Sequence, residues 1–353
     1  MAITLSGDSG ITTPTYGGAD TSEYLVPVTQ FKNRIINGAM VIDQRNAGAS
    51  VTPTDGQYTL DRWQGWASAA GKYSIQQNAG SVTPPAGFTN YLGVTSLSAY
   101  TVNSGDYISI RQCVEGYNMA DLMWGTANAK TVTLSFWVRS SLTGTFGGVL
   151  KNADNTRSYP FTYTISSANT WEYKTITIAG ETSGTWLTTN GNGIALIFGL
   201  GVGTTFQGTA GSWASANYWN ATGATSVVGT NGATFYLTGV QLEVGSTATS
   251  FDYRPYGTEL QLCQRYYSII YVSADWDSAN TWAAQGITFP ATMRTSATFT
   301  AITNTLKSNW SSTIFNVGNF TAGTITQGTN AQFEKTTSGR CYQFASYSAS
   351  AEL

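Results

Sequence analysis

From Ile35 to Gly245 the chain alternates short runs of Val, Ile, Thr and aromatic residues with Gly, Asn and Pro. Such runs, bounded by turn formers, predict β-strands. They fall at Gly38–Asp43, Tyr58–Trp66, Lys72–Gln77, Tyr91–Tyr100, Asp106–Gly116, Thr131–Ser140, Phe146–Leu150, Ser158–Ile165, Trp171–Gly180, Gly193–Val202 and Ala233–Gly245. In Thr131–Ser140, Val132, Leu134, Phe136 and Val138 share one face, and Thr133, Ser135, Trp137 and Arg139 the other. That period of two marks a half-buried strand. Many strands joined by short turns predict an all-β fold, an antiparallel β-sandwich of the jelly-roll kind. One helical turn is expected at Asn118–Gly125.

The period changes after Gly257. Thr258 with Gln261 has the spacing of a capping box. Glu259 and Arg265 stand where the helix dipole favours them. The pattern predicts a helix over Thr258–Ile270 with two apolar stripes: Leu260, Cys263, Tyr267 and Ile270 in one, Leu262, Tyr266 and Ile269 in the other. A helix on a monomer's surface needs one stripe, so two suggest cover from a second body. A smaller C-terminal β domain follows, with strands in Gly286–Ile302, Thr313–Thr326 and Arg340–Ala349. Residues 1–34 have turn formers and little periodicity, and read as an extended arm that a partner would order. The organisation expected is therefore an arm over 1–34, a sandwich over 35–256, a connecting helix over 257–271 and a β domain over 272–353.

Charge changes this picture. Only 10% of the 353 residues are charged, against 13% aromatic. No Asp, Glu, Lys or Arg occurs from Thr182 to Leu242, and five charges follow in the next thirty residues. The surface is thus built of hydroxyls, amides and aromatic edges. Net charge is −2 with no basic block, which removes the electrostatic footprint of a nucleic-acid binder. Mean hydropathy is −0.12, and no apolar run approaches a membrane span. Histidine is absent, which excludes His-based nucleophile pairs and His-ligated metals. Cys113, Cys263 and Cys341 form no CxxC motif and are expected as buried free thiols. No cofactor is implied. The start, MAITLSGDSG, lacks the basic and apolar regions of a signal peptide, so synthesis in a cytoplasm is expected.

NRIINGAMVIDQRNAG (Asn33–Gly48), YTLDRW (Tyr58–Trp63), GVQLEVGSTATSFDYRPYGTELQLCQRYY (Gly239–Tyr267) and YSASAEL (Tyr347–Leu353) resemble bacteriophage tail-fibre or receptor-binding proteins. MAITLSGDSGITTP is similar to their virion-attachment end, and Gln112–Val202 resembles, by strand pattern, the jelly rolls of carbohydrate-binding modules. The resemblance implies a homotrimeric virion appendage that meets host glycans at its distal surface without catalysis. A head-fibre or capsid-decoration protein and a polysaccharide depolymerase are the alternatives. Neutral sugars, with hydroxyls and apolar C–H faces, suit an aromatic-rich, charge-poor surface.

Candidate sites follow. The segment Thr205–Thr230 carries Trp213, Tyr218 and Trp219 among Ser, Gly and Asn, a composition of aromatic anchors and adaptable hydrogen bonders. It suits glycan contact, and equally core or subunit packing. In Ser273–Trp282, Trp276 and Trp282 are further glycan candidates. Asp275 and Asp277 there point the same way on an extended chain and read as a solvated turn, a Ca²⁺ site or a glycosidase pair. Two carboxyls at i and i+2 give no opposed pair across a bond. Asp61 with Arg62, and Glu243 and Asp252 with Arg254, are expected as structural ion pairs, with Arg254 stacking on Tyr253 or Tyr256.

Overall fold

A computed structural model describes residues 5–6, 10–11, 31–278, 282–306, 315–316, 328–334 and 339–353, with side chains in 31–271, 288–300, 302 and 346–353. A two-residue pair, β1 (Leu5–Ser6) and β2 (Gly10–Ile11), comes first. The rest of the expected arm within 1–30 lies outside the described residues. Asn33 and Arg34 already belong to the sandwich: Asn33 Nδ2 donates to the Val240 carbonyl at 3.0 Å, and Arg34 ion-pairs with Asp121.

The predicted strands then form in sequence. They are β3 (Tyr58–Leu60), β4 (Trp63–Ala67), β5 (Tyr73–Gln77), β6 (Leu92–Ser96), β7 (Tyr107–Glu115), β8 (Val132–Ser140), β9 (Gly144–Lys151), β10 (Ser158–Ile165), β11 (Glu172–Ile178), β12 (Asn192–Val202), the short β13 (Gln207–Gly208) and β14 (Asn220–Ala221), and β15 (Thr234–Val244). Two antiparallel sheets face each other. One has six strands in the order β10-β9-β12-β7-β4-β3, the other five in the order β11-β8-β15-β6-β5. The chain is an antiparallel β-sandwich.

Alternation decides what lies between the layers. Val132, Leu134, Phe136 and Val138 of β8 are buried, as are Leu196 and Phe198 of β12 and Phe235 and Leu237 of β15. The Phe136 and Phe198 rings meet edge to face at 5.1 Å. Each such side chain contributes about 1.5–3 kcal/mol. The opposite face of β8 is covered in part: Thr133 and Ser135 are buried, while Trp137 and Arg139 are half-exposed.

Gly38–Asp43, expected as a strand, is irregular backbone between turns at 36–39 and 44–48. The Asn37 side chain takes over its backbone partners: Nδ2 donates to the Ile42 and Asp61 carbonyls, and Oδ1 accepts from the Ile42 N–H. Short Asn side chains compete with sheet ladders in this way. The turn expected at Asn118–Gly125 is a pair of 3₁₀ turns, Gly116–Asn118 and Ala120–Leu122.

The helix α1 spans Tyr256–Gln264, not Thr258–Ile270. The Pro255 carbonyl accepts from the N–H groups of Thr258 and Glu259, so the helix starts ahead of Thr258 and the capping box is unused. It stops because Tyr267–Ser278 pairs as strand β16; β-branched Ile269, Ile270 and Val272 suit a pleated surface better than a helix. Cys263 packs with Ile36, Ile42 and Tyr266, and Leu260, Leu262 and Leu353 join them. The helix thus finds cover on two sides within its own chain.

The C-terminal region adds β17 (Trp282–Thr288), β18 (Thr298–Leu306), β19 (Phe315–Asn316), β20 (Gly328–Glu334) and β21 (Gly339–Ser350). They form two three-stranded sheets, β16-β21-β18 and β17-β20-β19. Cys113 and Cys263 are free and buried. The Cys341 side chain lies outside the described residues.

Candidate functional site

The outward face of the five-stranded sheet carries an aromatic groove of about 460 Å³. Its floor is built by register. Tyr173 of β11 pairs with Trp137 of β8, and Trp137 pairs with Thr238 of β15. Period-two alternation puts Trp137 and Ser135 outward, because Phe136 and Val138 point to the core. Beyond Thr238 the pairing of β15 slips at a bulge, and Gly239 takes φ +60° there. A Cβ on Gly239 would sit 2.6 Å from the Phe88 ring and 3.2 Å from Trp137. Glycine therefore lets both rings close on the floor.

One wall is the segment 248–253, held by two buried side chains of β15. Glu243 accepts from the Thr249 N–H at 2.9 Å, the Thr249 hydroxyl at 2.6 Å and Gln241 Nε2 at 2.8 Å. Gln241 Oε1 accepts from the Asp252 N–H at 2.8 Å. The wall presents Phe251 and Tyr253, which pack on Phe88 with centroids at 5.1 and 5.5 Å. Trp137 and Tyr173 lie 5.4 Å apart. Tyr253 is 57% and Tyr173 43% exposed. Burial pushes the Tyr253 phenol up, so it remains a neutral donor. Ser135, Thr249 and Ser250 complete the lining; none of these side chains is charged, and the Lys32 ammonium reaches its edge by donating to the Thr249 hydroxyl. Such a surface offers ring faces to apolar C–H groups and hydroxyls to hydroxyls.

The sequence candidates fall elsewhere. Trp213 joins Trp124, Trp186 and Tyr159 in a ring cluster, and its indole N–H donates to the Ala179 carbonyl. Tyr218 lies over Gly208, where a Cβ would meet its ring at 2.3 Å. Trp219 is buried on the outer face of the six-stranded sheet, stacked on Tyr107 at 5.0 Å. The structure does not bring Trp213 and Trp219 to one surface. The side chains of Trp276, Trp282, Asp275 and Asp277 lie outside the described residues.

The charged candidates sit at the junction between sandwich, helix and C-terminal sheets, with partners that differ from those expected. Arg62 ion-pairs with Glu352 rather than Asp61, and its guanidinium lies 3.6 Å from the Tyr266 ring centroid. Asp61 accepts from the Gln44 N–H and Nε2 at 2.7 Å each; burial pushes its carboxyl up to about 6. Arg254 ion-pairs with Glu259 at 3.2 Å and lies over Phe31, not over Tyr253 or Tyr256. Asp252 accepts from the Asn33 N–H and Glu243 from the wall segment. Sequence reasoning missed the groove, although Trp137 on the polar face of an alternating strand was its visible signal.

No family model and no curated protein matches the chain. Solved structures do match. The tailspike protein 4 enzymatically active domain of bacteriophage CBA120 is 11% identical over 61% of this chain, with a TM-score of 0.33. This chain spans only 22% of that protein's length. A putative sugar binding protein from Bacteroides thetaiotaomicron is 13% identical over 60% of this chain and 100% of its own, at 0.34. A family 11 carbohydrate-binding module from Clostridium thermocellum, in complex with a β-1,3-1,4-mixed-linked tetrasaccharide, is 13% identical over 57% and 98%, at 0.28. At these scores and identities the likenesses assign nothing to this chain.

Proposed function

We propose that the chain is a phage virion appendage of the tail-fibre kind that attaches to a host surface by holding a neutral glycan in the groove beside Trp137. One observation carries this reading: five aromatic rings and three hydroxyl side chains line the groove, and none of the lining side chains is charged. Ring faces supply contact area to sugar C–H groups, and the hydroxyls give orientation. A lining of ring faces and hydroxyls suits binding of a neutral ligand. The virion assignment rests on the sequence blocks similar to tail-fibre proteins, with the segment ahead of Phe31 as the attachment arm. A homotrimer suits this role, since three weak sites raise avidity by orders of magnitude.

Tryptophan fluorescence during titration with a panel of neutral oligosaccharides tests the groove. Saturable binding is expected, changing little between low and moderate salt because the lining side chains are uncharged and the ligand is neutral. Trp137→Ala should remove it without lowering the unfolding midpoint. Failure of every neutral oligosaccharide at millimolar concentration would overturn the reading. Light scattering checks the assembly, with an expected mass of three times 37.7 kDa.

A further inference from the structure

The outer face of the six-stranded sheet holds a second cluster that the groove does not use. Lys151 of β9 pairs with Ala195 of β12, and Arg111 of β7 pairs with Ile197 two residues along the same strand. Both side chains therefore rise on one face, on either side of β12. Arg111 lies 3.6 Å from the Trp66 ring centroid, and Lys151 Nζ lies 4.3 Å from that of Trp219. The two indoles are 5.9 Å apart, and Tyr107 extends the row beyond Trp219.

Neither cation is neutralised. Six arginines of this charge-poor chain meet a carboxylate at ion-pair distance. Among the described residues, Lys151 and Arg111 meet none. Lys151 is 2% exposed, yet its hydrogen-bond partner is the neutral Asn217 side-chain oxygen. Arg111 spends its Nε on Gln64 Oε1 at 2.8 Å, and neither terminal nitrogen has an acceptor among the described residues. Asp55, at the Tyr107 end, is engaged by the Ala67 N–H and the Tyr107 hydroxyl. A buried charge is normally paired or hydrogen-bonded to a counter-charge. Burial together with the neighbouring Arg111 pulls the Lys151 ammonium down to about 7, so an anion arriving there would hold its proton in place.

We propose that this face is a second ligand site, for an acidic sugar unit whose carboxylate sits between Arg111 and Lys151 while its ring lies along Trp66 and Tyr107. Guanidinium and ammonium then supply charge-assisted hydrogen bonds to the carboxylate, and the aromatic row takes the C–H face of the sugar. This inference is independent of the groove reading, because the two sites occupy opposite sheets and one takes a neutral sugar, the other an acidic one.

Calorimetric titration of the full chain with a short oligogalacturonate, and with the same oligosaccharide fully methyl-esterified, tests it. The acid should bind and the ester should not, on the unaltered protein. Arg111→Gln and Lys151→Met should each weaken the acid by at least about thirtyfold, the low end for truncating one partner of a charge pair. Lys130→Gln, which removes one positive charge elsewhere, should leave the affinity unchanged. Equal affinity for acid and ester, no binding of the acid at millimolar concentration, or full affinity in both site variants would overturn the proposal.

Discussion

Glu352 ion-pairs with Arg62, which stands 290 residues earlier in the turn between β3 and β4. Arg62 takes φ +69° there and is 1% exposed. Arg45 reaches the other carboxylate oxygen at 2.6 Å, and Arg294 donates to the Ala351 and Glu352 carbonyls. The Tyr58 hydroxyl donates to the Leu353 carbonyl. These contacts clamp the last residues of the sequence onto the sandwich. Glu352→Ala would leave the Arg62 guanidinium buried beside a cavity, a change that costs about 3–5 kcal/mol when one partner of a buried pair is removed. Denaturant unfolding should report a loss of that size, while Asp121→Ala, at the half-exposed end of the Arg34 pair, should cost under about 1 kcal/mol.

Gly239→Ala should damage the groove more than the fold. The residue must adopt φ +60°, a conformation that costs a side-chain-bearing residue roughly 1–2 kcal/mol, and its new methyl would displace the Phe88 ring. Phe88 carries Phe251 and Tyr253 with it. Oligosaccharide affinity should fall by more than the stability loss accounts for, as read by titration and thermal melting of one preparation.

Much of the sandwich was legible because its strands are half-buried and alternate. Val132–Ser140 shows one apolar and one polar face, and the structure buries the apolar one. Where a side chain replaced the backbone ladder, legibility failed: nothing in Gly38–Asp43 announces that Asn37 will take its hydrogen bonds. The helix pattern was real up to Gln264, but the apolar spacing from Tyr266 to Ile270 fits a strand equally well, and only pairing with β21 decides it. Asp61, Arg62, Asp252 and Arg254 were expected to pair among themselves or with Glu243, and the structure gives them other partners. Glu352 and Glu259 lie far from Arg62 or close to Arg254 in ways that spacing does not reveal. The groove escaped notice because its aromatics come from four separate stretches that only the sheet register brings together.

Glu243→Ala should loosen the groove wall without unfolding the sandwich. The carboxylate is 3% exposed and receives the Thr249 N–H, the Thr249 hydroxyl and Gln241 Nε2. Removing it orphans these donors at a cost of about 1–3 kcal/mol, and the loss falls on 248–251, beyond the end of β15. Hydrogen exchange should rise at the Thr249 amide, with little change at Leu237 or Val138 in the core. Groove affinity should drop with it, and Glu243→Gln, which keeps an acceptor for the Thr249 amide, should recover part of both.

Lys151 should give the chain an unusual rise of stability with pH. No histidine titrates near neutrality. Burial and the nearby Arg111 bring the folded-state ammonium down to about 7, from an ordinary value of 10.5. The groups facing it are Arg111 and Cys113 on β7, and Asn217 and Trp219 from the covering segment. Between those two values the unfolded chain binds the proton that the folded chain has released, so stability increases with pH. The contribution is complete above the unfolded value and is lost as pH falls through about 7. Its largest slope is about 1.4 kcal/mol per pH unit. The window closes near pH 9.0, where the unfolded chain has already ionised half of its Cys263, whose buried thiol is held well above its ordinary value. Urea midpoints measured across that window, in chloride without added carboxylate, should therefore climb, and Lys151→Met should flatten the climb. A wild-type midpoint that stays level from pH 7 to pH 9.0 would show that the folded chain keeps the Lys151 proton throughout.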